Sequence, residues 1–195
     1  VIPNLKPGIL KHHPYIDLFE KNDVFIKTPD GKAPYYGRWW GGEGRFFDFT
    51  GPKGRDTWKQ LLEEMTLEQK VGQLFLVRPD SLDLSQTQDQ INDAKADGVT
   101  ELTDAMRQTL AEYPVGGVVI FGKNLESPQQ ITQFLDDLQQ ASDMPLFTAI
   151  DEEGGLVARL ANNAAFDLPQ YESAAAVGTS GNPEDARAMG RTIGG

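Results

Sequence analysis

Three apolar runs set the tightest limit on what this chain can fold into: VGQLFLV at 71–77, VGGVVIFG at 115–122 and PLFTAI at 145–150. None alternates apolar with polar residues, and such runs suit strands buried on both faces. Helical signals fill the gaps between them. A helix is expected around 100–112, and Ser127, with Pro128 next to it, opens PQQITQFLDDLQQA. Asn182 and Pro183 start the last helix in the same way. Strands alternating with helices predict an α/β fold with a parallel sheet covered on both sides. Gly116 and Gly117, inside the second run, fit a close approach of neighbouring backbones.

The N-terminal part reads differently. Residues 1 to about 55 are rich in proline, glycine and aromatics, which predicts a long loop, a short strand Arg45–Phe49 and a turn at Thr50–Gly54. From Asp56 the pattern becomes regular, with Trp58, Leu61, Leu62 and Met65 on one helical face. Thr66 and Gln69 make a capping box for a second short helix. At most four βα units are visible, where a complete (β/α)8 barrel runs to about 250 residues. The predicted architecture is a partial (β/α)8 TIM-type barrel, a half barrel, with segments 1–64 and 65–195.

Composition excludes several kinds of function. The chain has 195 residues, 39% hydrophobic, enough for a real core. A net charge of −11 supplies no basic stripe for phosphates, so nucleic acid is not an expected partner, while neutral or cationic small substrates are left open and the charge by itself mainly favours solubility. There is no cysteine, which removes disulfides and thiolate chemistry, and the two histidines, His12 and His13, are adjacent. No apolar run approaches the roughly 20 residues of a membrane span, and no signal-peptide pattern opens the sequence. No cofactor is expected and the compartment is left open.

Chemistry concentrates where the third run ends, in IDEEGGLVARL. Asp151 and Glu153 lie two apart, so extended backbone would turn them to the same side. Two such carboxylates can share acid and base work, bind a metal or accept hydrogen bonds from sugar hydroxyls. With no histidine nearby, a metal site is not assigned. Gly154 and Gly155 allow close approach of a ligand, and Arg159 is placed to pair with an acid or donate to a hydroxyl. A solvated turn accounts for the same residues and stays open. Tyr35, Tyr36, Trp39 and Trp40 suit either sugar stacking or a small loop core. His12 and His13 read as surface residues, RPDSLDLSQTQDQINDAKADG as a solvated insertion, and Met65 and Leu74 as core.

In order along the chain, MTLEQKVGQLFLV, VGGVVIFGKNLESPQQI and IDEEGGLVARL resemble the N-terminal barrel domain of glycoside hydrolase family 3. The branch is similar to bacterial β-N-acetylglucosaminidases, also called β-hexosaminidases, over about Leu61 to Gly195. The resemblance implies retaining hydrolysis of terminal β-N-acetylglucosaminides through a glycosyl-enzyme intermediate on an aspartate. It maps Asp151 onto the aspartate that hydrogen-bonds hydroxyls of the non-reducing sugar, with Glu153 and Arg159 as supports. Many members carry arginine where this chain has Leu156. The family's nucleophile and acid/base elements follow later and have no counterpart in these 195 residues. Retaining hydrolysis needs two groups roughly 5 Å apart, so this polypeptide alone is not expected to turn over.

The N-terminal piece, 1 to about 64, resembles glycoside hydrolase family 31, the α-glucosidase and α-xylosidase group, on PNLKPGILKHHPYIDLFEKNDVFIKTPDG and GRWWGGEGRFFDFTGPKGRDTWKQLLEE. Asp48-Phe49-Thr50-Gly51-Pro52 stands where that family has a DFTNP-like motif, with Gly51 in place of asparagine. That family's nucleophile motif is not supplied, which weakens an α-glucosidase reading. The combination is expected of a chimera of two barrel segments. The competing expectation is a non-catalytic half-barrel scaffold that self-associates, a homodimer completing the barrel.

Overall fold

A computed structural model of the chain describes residues 8–11, 13–39 and 42–194. His12 and Trp40 lie outside the described residues, as do residues 1–7. The chain divides into two compact units, residues 1–66 and residues 67–194. No helix among the described residues is long and apolar enough to cross a membrane.

The first unit holds β1 (Gly8–Leu10), α1 (Ile16–Lys21), β2 (Tyr36–Trp39), β3 (Gly42–Phe46) and α2 (Pro52–Glu64). Its sheet has the order β1-β3-β2 and both pairings are antiparallel, with Ile9 opposite Arg45 and Tyr36 opposite the same Arg45. Phe19 of α1 is buried with Val24, Phe25 and Phe47, and its ring meets Phe47 nearly edge-on at 5.1 Å between centroids. Such a pair adds about 0.5–1.5 kcal/mol beyond its buried area. Buried Arg45 lies 4.3 Å over the Phe25 ring and reaches Glu20 at 2.7 Å.

The strand expected at Arg45–Phe49 stands instead at Gly42–Phe46. Asp48 Oδ1 accepts from the Thr50 N–H (2.9 Å), the Thr50 hydroxyl (2.6 Å) and the Gly51 N–H (3.0 Å), turning the chain early. The Thr50 hydroxyl bond is also the main reason the Asp48 carboxyl sits below its ordinary pKa. Pro52 then starts α2 inside what the sequence predicts to be a turn. On α2, Leu61 packs on the Phe19 cluster while Trp58 and Leu62 stay exposed. Tyr35 and Tyr36 are exposed as well, rather than forming a loop core.

His13 is half-buried instead of lying at the surface. Its Nδ1 accepts from the Tyr15 N–H at 3.2 Å and its ring lies 5.2 Å from that of Phe19. Burial pushes its pKa down to about 4, so it is neutral at pH 7.

The second unit starts with α3 (Leu67–Gly72), β4 (Leu76–Val77), α4 (Gln88–Asn92) and α5 (Asp104–Glu112). It continues with β5 (Gly117–Ile120), α6 (Pro128–Ala141), β6 (Phe147–Ile150), β7 (Glu152–Gly154), β8 (Val157–Ala158), α7 (Ala174–Thr179) and α8 (Pro183–Gly194). β4, β5 and β6 form a parallel sheet in that order, with Val118 opposite Val77 on one side and Thr148 on the other. β7 and β8 form an antiparallel hairpin of their own. Ser127 caps α6 by accepting from the Gln130 N–H at 3.1 Å, and the Asn182 side chain accepts from the Glu184 N–H at the start of α8. Phe134 and Leu138 of α6 are fully buried with Val118, Met106 and Leu110. Burial of each such side chain stabilises by about 1.5–3 kcal/mol.

Three expectations need correction here. Of the run 71–77 only Leu76–Val77 is strand, because the helix begun at Leu67 carries on through Gly72. Leu74 lies just past that helix end and is 79% exposed, not core. The sheet is also less covered than its apolar runs predict, since Leu76 and Phe147 are exposed. Gly72 and Gly117 explain the glycines near the strands: a Cβ on Gly72 would overlap the Pro114 carbonyl, and one on Gly117 that of Phe147.

Candidate functional site at the end of the third parallel strand

β6 ends at Ile150, and the chain turns at Asp151 into the β7–β8 hairpin. Gly154 (φ +85°) and Gly155 (φ +63°) make the tip, backbone that side-chain-bearing residues rarely adopt. The hairpin folds Arg159 back onto the strand end. Its N–H donates to the Asp151 carbonyl at 3.2 Å and its guanidinium stands 3.7 Å from Asp151 Oδ2. The same guanidinium lies 5.3 Å from the Phe121 ring, on which Arg78 also rests at 4.5 Å. Asp151 stays 42% exposed and Arg159 28%, so both groups of the ion pair are reachable.

Beside Arg159 opens a groove of about 450 Å³ whose walls include Gly122, Leu156, Asn162 and Asn163. Asn162 Nδ2 donates to the Gly155 carbonyl at 2.8 Å, and Asn163 Nδ2 to that of Leu125 at 3.0 Å. Among the described residues, no group of three or more His, Cys, Asp and Glu is gathered as a metal site would need.

Asp151 and Arg159 thus meet, whereas exposed Glu153 forms no ion pair among the described residues. Sequence reasoning overlooked Glu152, the acid between the two it named. Glu152 Oε2 accepts from the Leu160 N–H at 2.8 Å and Oε1 from the Ala161 N–H at 3.2 Å, which ties the far side of the hairpin to its near strand. The signal for it was faint, since both donors are backbone groups eight and nine residues away.

A second cluster supports the sheet nearby. Asp80, in the stretch expected to be a solvated insertion, is fully buried, and Leu82 and Ile91 of the same stretch are buried as well. The short 3-10 turn Pro79–Leu82 directs it inward. There its carboxylate accepts from the Asn124 amide at 2.9 Å and the Val99 N–H at 3.2 Å, and pairs with Lys123 at 3.3 Å. Lys123 Nζ also donates to the Gln90 and Ile91 carbonyls, both at 3.2 Å. A buried charge is tolerated only with such full partnering.

Comparison with known proteins places these parts. Residues 66–195 match the family described as "Glycosyl hydrolase family 3 N terminal domain". Residues 1–109 match "Glycosyl hydrolases family 31 TIM-barrel domain", which reaches well past the 64 or so residues that the sequence motifs suggest. A beta-hexosaminidase of Bordetella avium is 38% identical over 69 residues, 35% of this chain and 20% of that protein. One from Thiobacillus denitrificans is 33% identical over 95 residues, 49% of this chain and 26% of the relative. The chain therefore spans about a fifth of the first of these relatives and a quarter of the second. Among solved structures, a family 3 beta-N-acetylglucosaminidase from Paenibacillus sp. str. FPU-7 superposes with a TM-score of 0.50 at 30% identity, covering 66% of this chain and 21% of that one. On these matches the chain belongs, through residues 66–195, to the glycosyl hydrolase family 3 N-terminal domain family, a barrel-type α/β domain, and its N-terminal part matches the family 31 barrel domain.

Proposed function

We propose that residues 67–194 form the sugar-gripping part of a family 3 barrel, a partial (β/α)8 unit, and that Asp151 accepts hydrogen bonds from the hydroxyls of a terminal β-linked N-acetylglucosamine. The observation that carries this is the Asp151–Arg159 pair at the carboxyl end of a parallel strand, beside an open groove. Strand ends of parallel sheets are where α/β folds bind ligands. Arg159 acts as the positioning residue: it holds one carboxylate oxygen while the exposed remainder of Asp151 faces solvent. Glu153 stands at the hairpin as a secondary polar contact. The sugar class comes from the relatives, which are beta-hexosaminidases, and from the Paenibacillus beta-N-acetylglucosaminidase.

No nucleophile or general acid is assigned among the 195 residues, so the polypeptide binds sugar without cleaving it. An aryl β-N-acetylglucosaminide incubated with the purified chain is expected to show no turnover. Turnover that disappears in Asp151→Ala would overturn this half of the proposal, because it would require a complete site.

A second reading is a scaffold of two chains that close a barrel together. The exposure of Leu74, Phe75, Leu76 and Phe147 at and beside the parallel sheet favours it. Its test is the mass in solution, where a dimer is expected and a monomer across micromolar concentrations argues against it.

A further inference from the structure

Hydrogen bonds alone do not hold the Arg159 guanidinium in place. It stands 3.7 Å from Asp151 Oδ2, beyond ordinary hydrogen-bond length. Its Nε is buried and has no hydrogen-bond partner among the described residues. The bond from the Arg159 N–H to the Asp151 carbonyl fixes where the side chain starts, not where its charged end points.

Phe121 is placed to supply the missing restraint. It is the residue after β5, half-buried, and its ring stands outside the apolar cluster built around Phe134 and Val118. Two guanidinium groups lie over that ring instead, Arg78 at 4.5 Å from its centre and Arg159 at 5.3 Å. A cation within about 6 Å of a ring centroid is attracted by the negative face of the ring. The ring is itself anchored. The Phe121 N–H donates to Asn124 Oδ1 at 3.0 Å, and fully buried Asn124 donates to the Asp80 carboxylate and the Val99 carbonyl, both at 2.9 Å. Arg78 donates to the Ile91 carbonyl at 2.8 Å. The buried Asp80 cluster thus sets the backbone at Phe121. Arg78 follows β4, Phe121 follows β5 and Asp151 follows β6, so the ends of the parallel strands converge on this one ring.

We propose that Phe121 is a positioning residue: its ring holds the Arg159 guanidinium beside Asp151 and so orients the carboxylate that meets the sugar. This rests on the sugar site proposed above and adds the residue on which its geometry depends. Leucine at this position keeps apolar bulk but has no π face. Loss of a partly exposed cation–π contact converts to about threefold in affinity.

The test joins two readouts on the full chain. One is the Nε–H resonance of Arg159 by NMR, assigned with Arg159→Lys, and the other is calorimetric titration with methyl β-N-acetylglucosaminide. In the unaltered chain the Arg159 resonance is expected upfield of that of an exposed arginine, because the group lies over the ring. Phe121→Leu should abolish that displacement and weaken glycoside binding about threefold, while Phe121→Tyr should keep both as in the unaltered chain. A role in packing alone would not follow the aromatic face in this way. The inference is overturned by an undisplaced Arg159 resonance in the unaltered chain, a result that needs no variant to fold. It is equally overturned if the displacement or the affinity stays unchanged in Phe121→Leu. If the unaltered chain binds no glycoside, the sugar site itself fails, and the resonance alone decides whether Phe121 holds Arg159.

Discussion

His13 shows how one residue changes meaning between sequence and fold. Next to a second histidine it reads as a surface pair, yet it packs on Phe19 and is held neutral, with a pKa near 4 against 6.5 when unfolded. The unfolded chain therefore binds the extra proton first, and stability falls as pH drops from about 6.5 to about 4. Below that window His13 has no further effect. Its partial burial limits the loss to about 1–2 kcal/mol. Asp23 and Asp48, whose carboxyls are held below the ordinary value by Lys27 and by Thr50 respectively, act only at lower pH. All three tryptophans lie at 39, 40 and 58, so their fluorescence reports on the first unit. Urea unfolding followed by that fluorescence should show a lower midpoint at pH 5 than at pH 7, and His13→Gln should flatten the difference. An unchanged midpoint would remove His13 from the core.

At the scale of elements, the hairpin and the buried acid cluster each make a claim. Glu152→Ala leaves the N–H groups of Leu160 and Ala161 without their acceptor, a loss of about 1–3 kcal/mol. The melting temperature should fall by several degrees, more than for Glu153→Ala at the exposed neighbour. Lys123→Met strands the buried Asp80 charge and should cost about 3–5 kcal/mol by urea unfolding. Adding Asp80→Asn to it should recover part of that loss, since contacting residues are not additive.

These cases also mark what was legible. The Ser127–Pro128 and Asn182–Pro183 helix starts were visible because a cap and its helix are neighbours in sequence. The parallel β5–β6 pairing was visible because apolar runs without alternation have few other places to go. Asp80 was missed because its partners come from 19 and 44 residues away, distances at which spacing says nothing. The first parallel strand was overestimated because a local helix signal at Leu67 competes for the same residues and wins as far as Gly72. Of the site, the Asp151–Arg159 pairing was foreseeable from a short turn, whereas the clamp role of Glu152 depended on how the hairpin closes.

At the scale of the whole molecule, the chain has two compact units, residues 66–195 match one hydrolase family and residues 1–109, which run into the second unit, match another, and the relatives are several times longer than the stretch they share with this chain. The antiparallel β1-β3-β2 sheet of the first unit is unlike a parallel barrel segment, while β4-β5-β6 of the second is the kind of sheet a barrel is cut from. The proposed sugar site at Asp151 lies in the second unit. The most direct test is calorimetric titration of methyl β-N-acetylglucosaminide into the full chain and into Asp151→Ala, with both confirmed folded by circular dichroism. The proposed site predicts measurable binding by the unaltered chain and at least about a tenfold loss in Asp151→Ala, the scale of a charged hydrogen bond removed. Equal affinity in the two, or no binding by the unaltered chain, would contradict it.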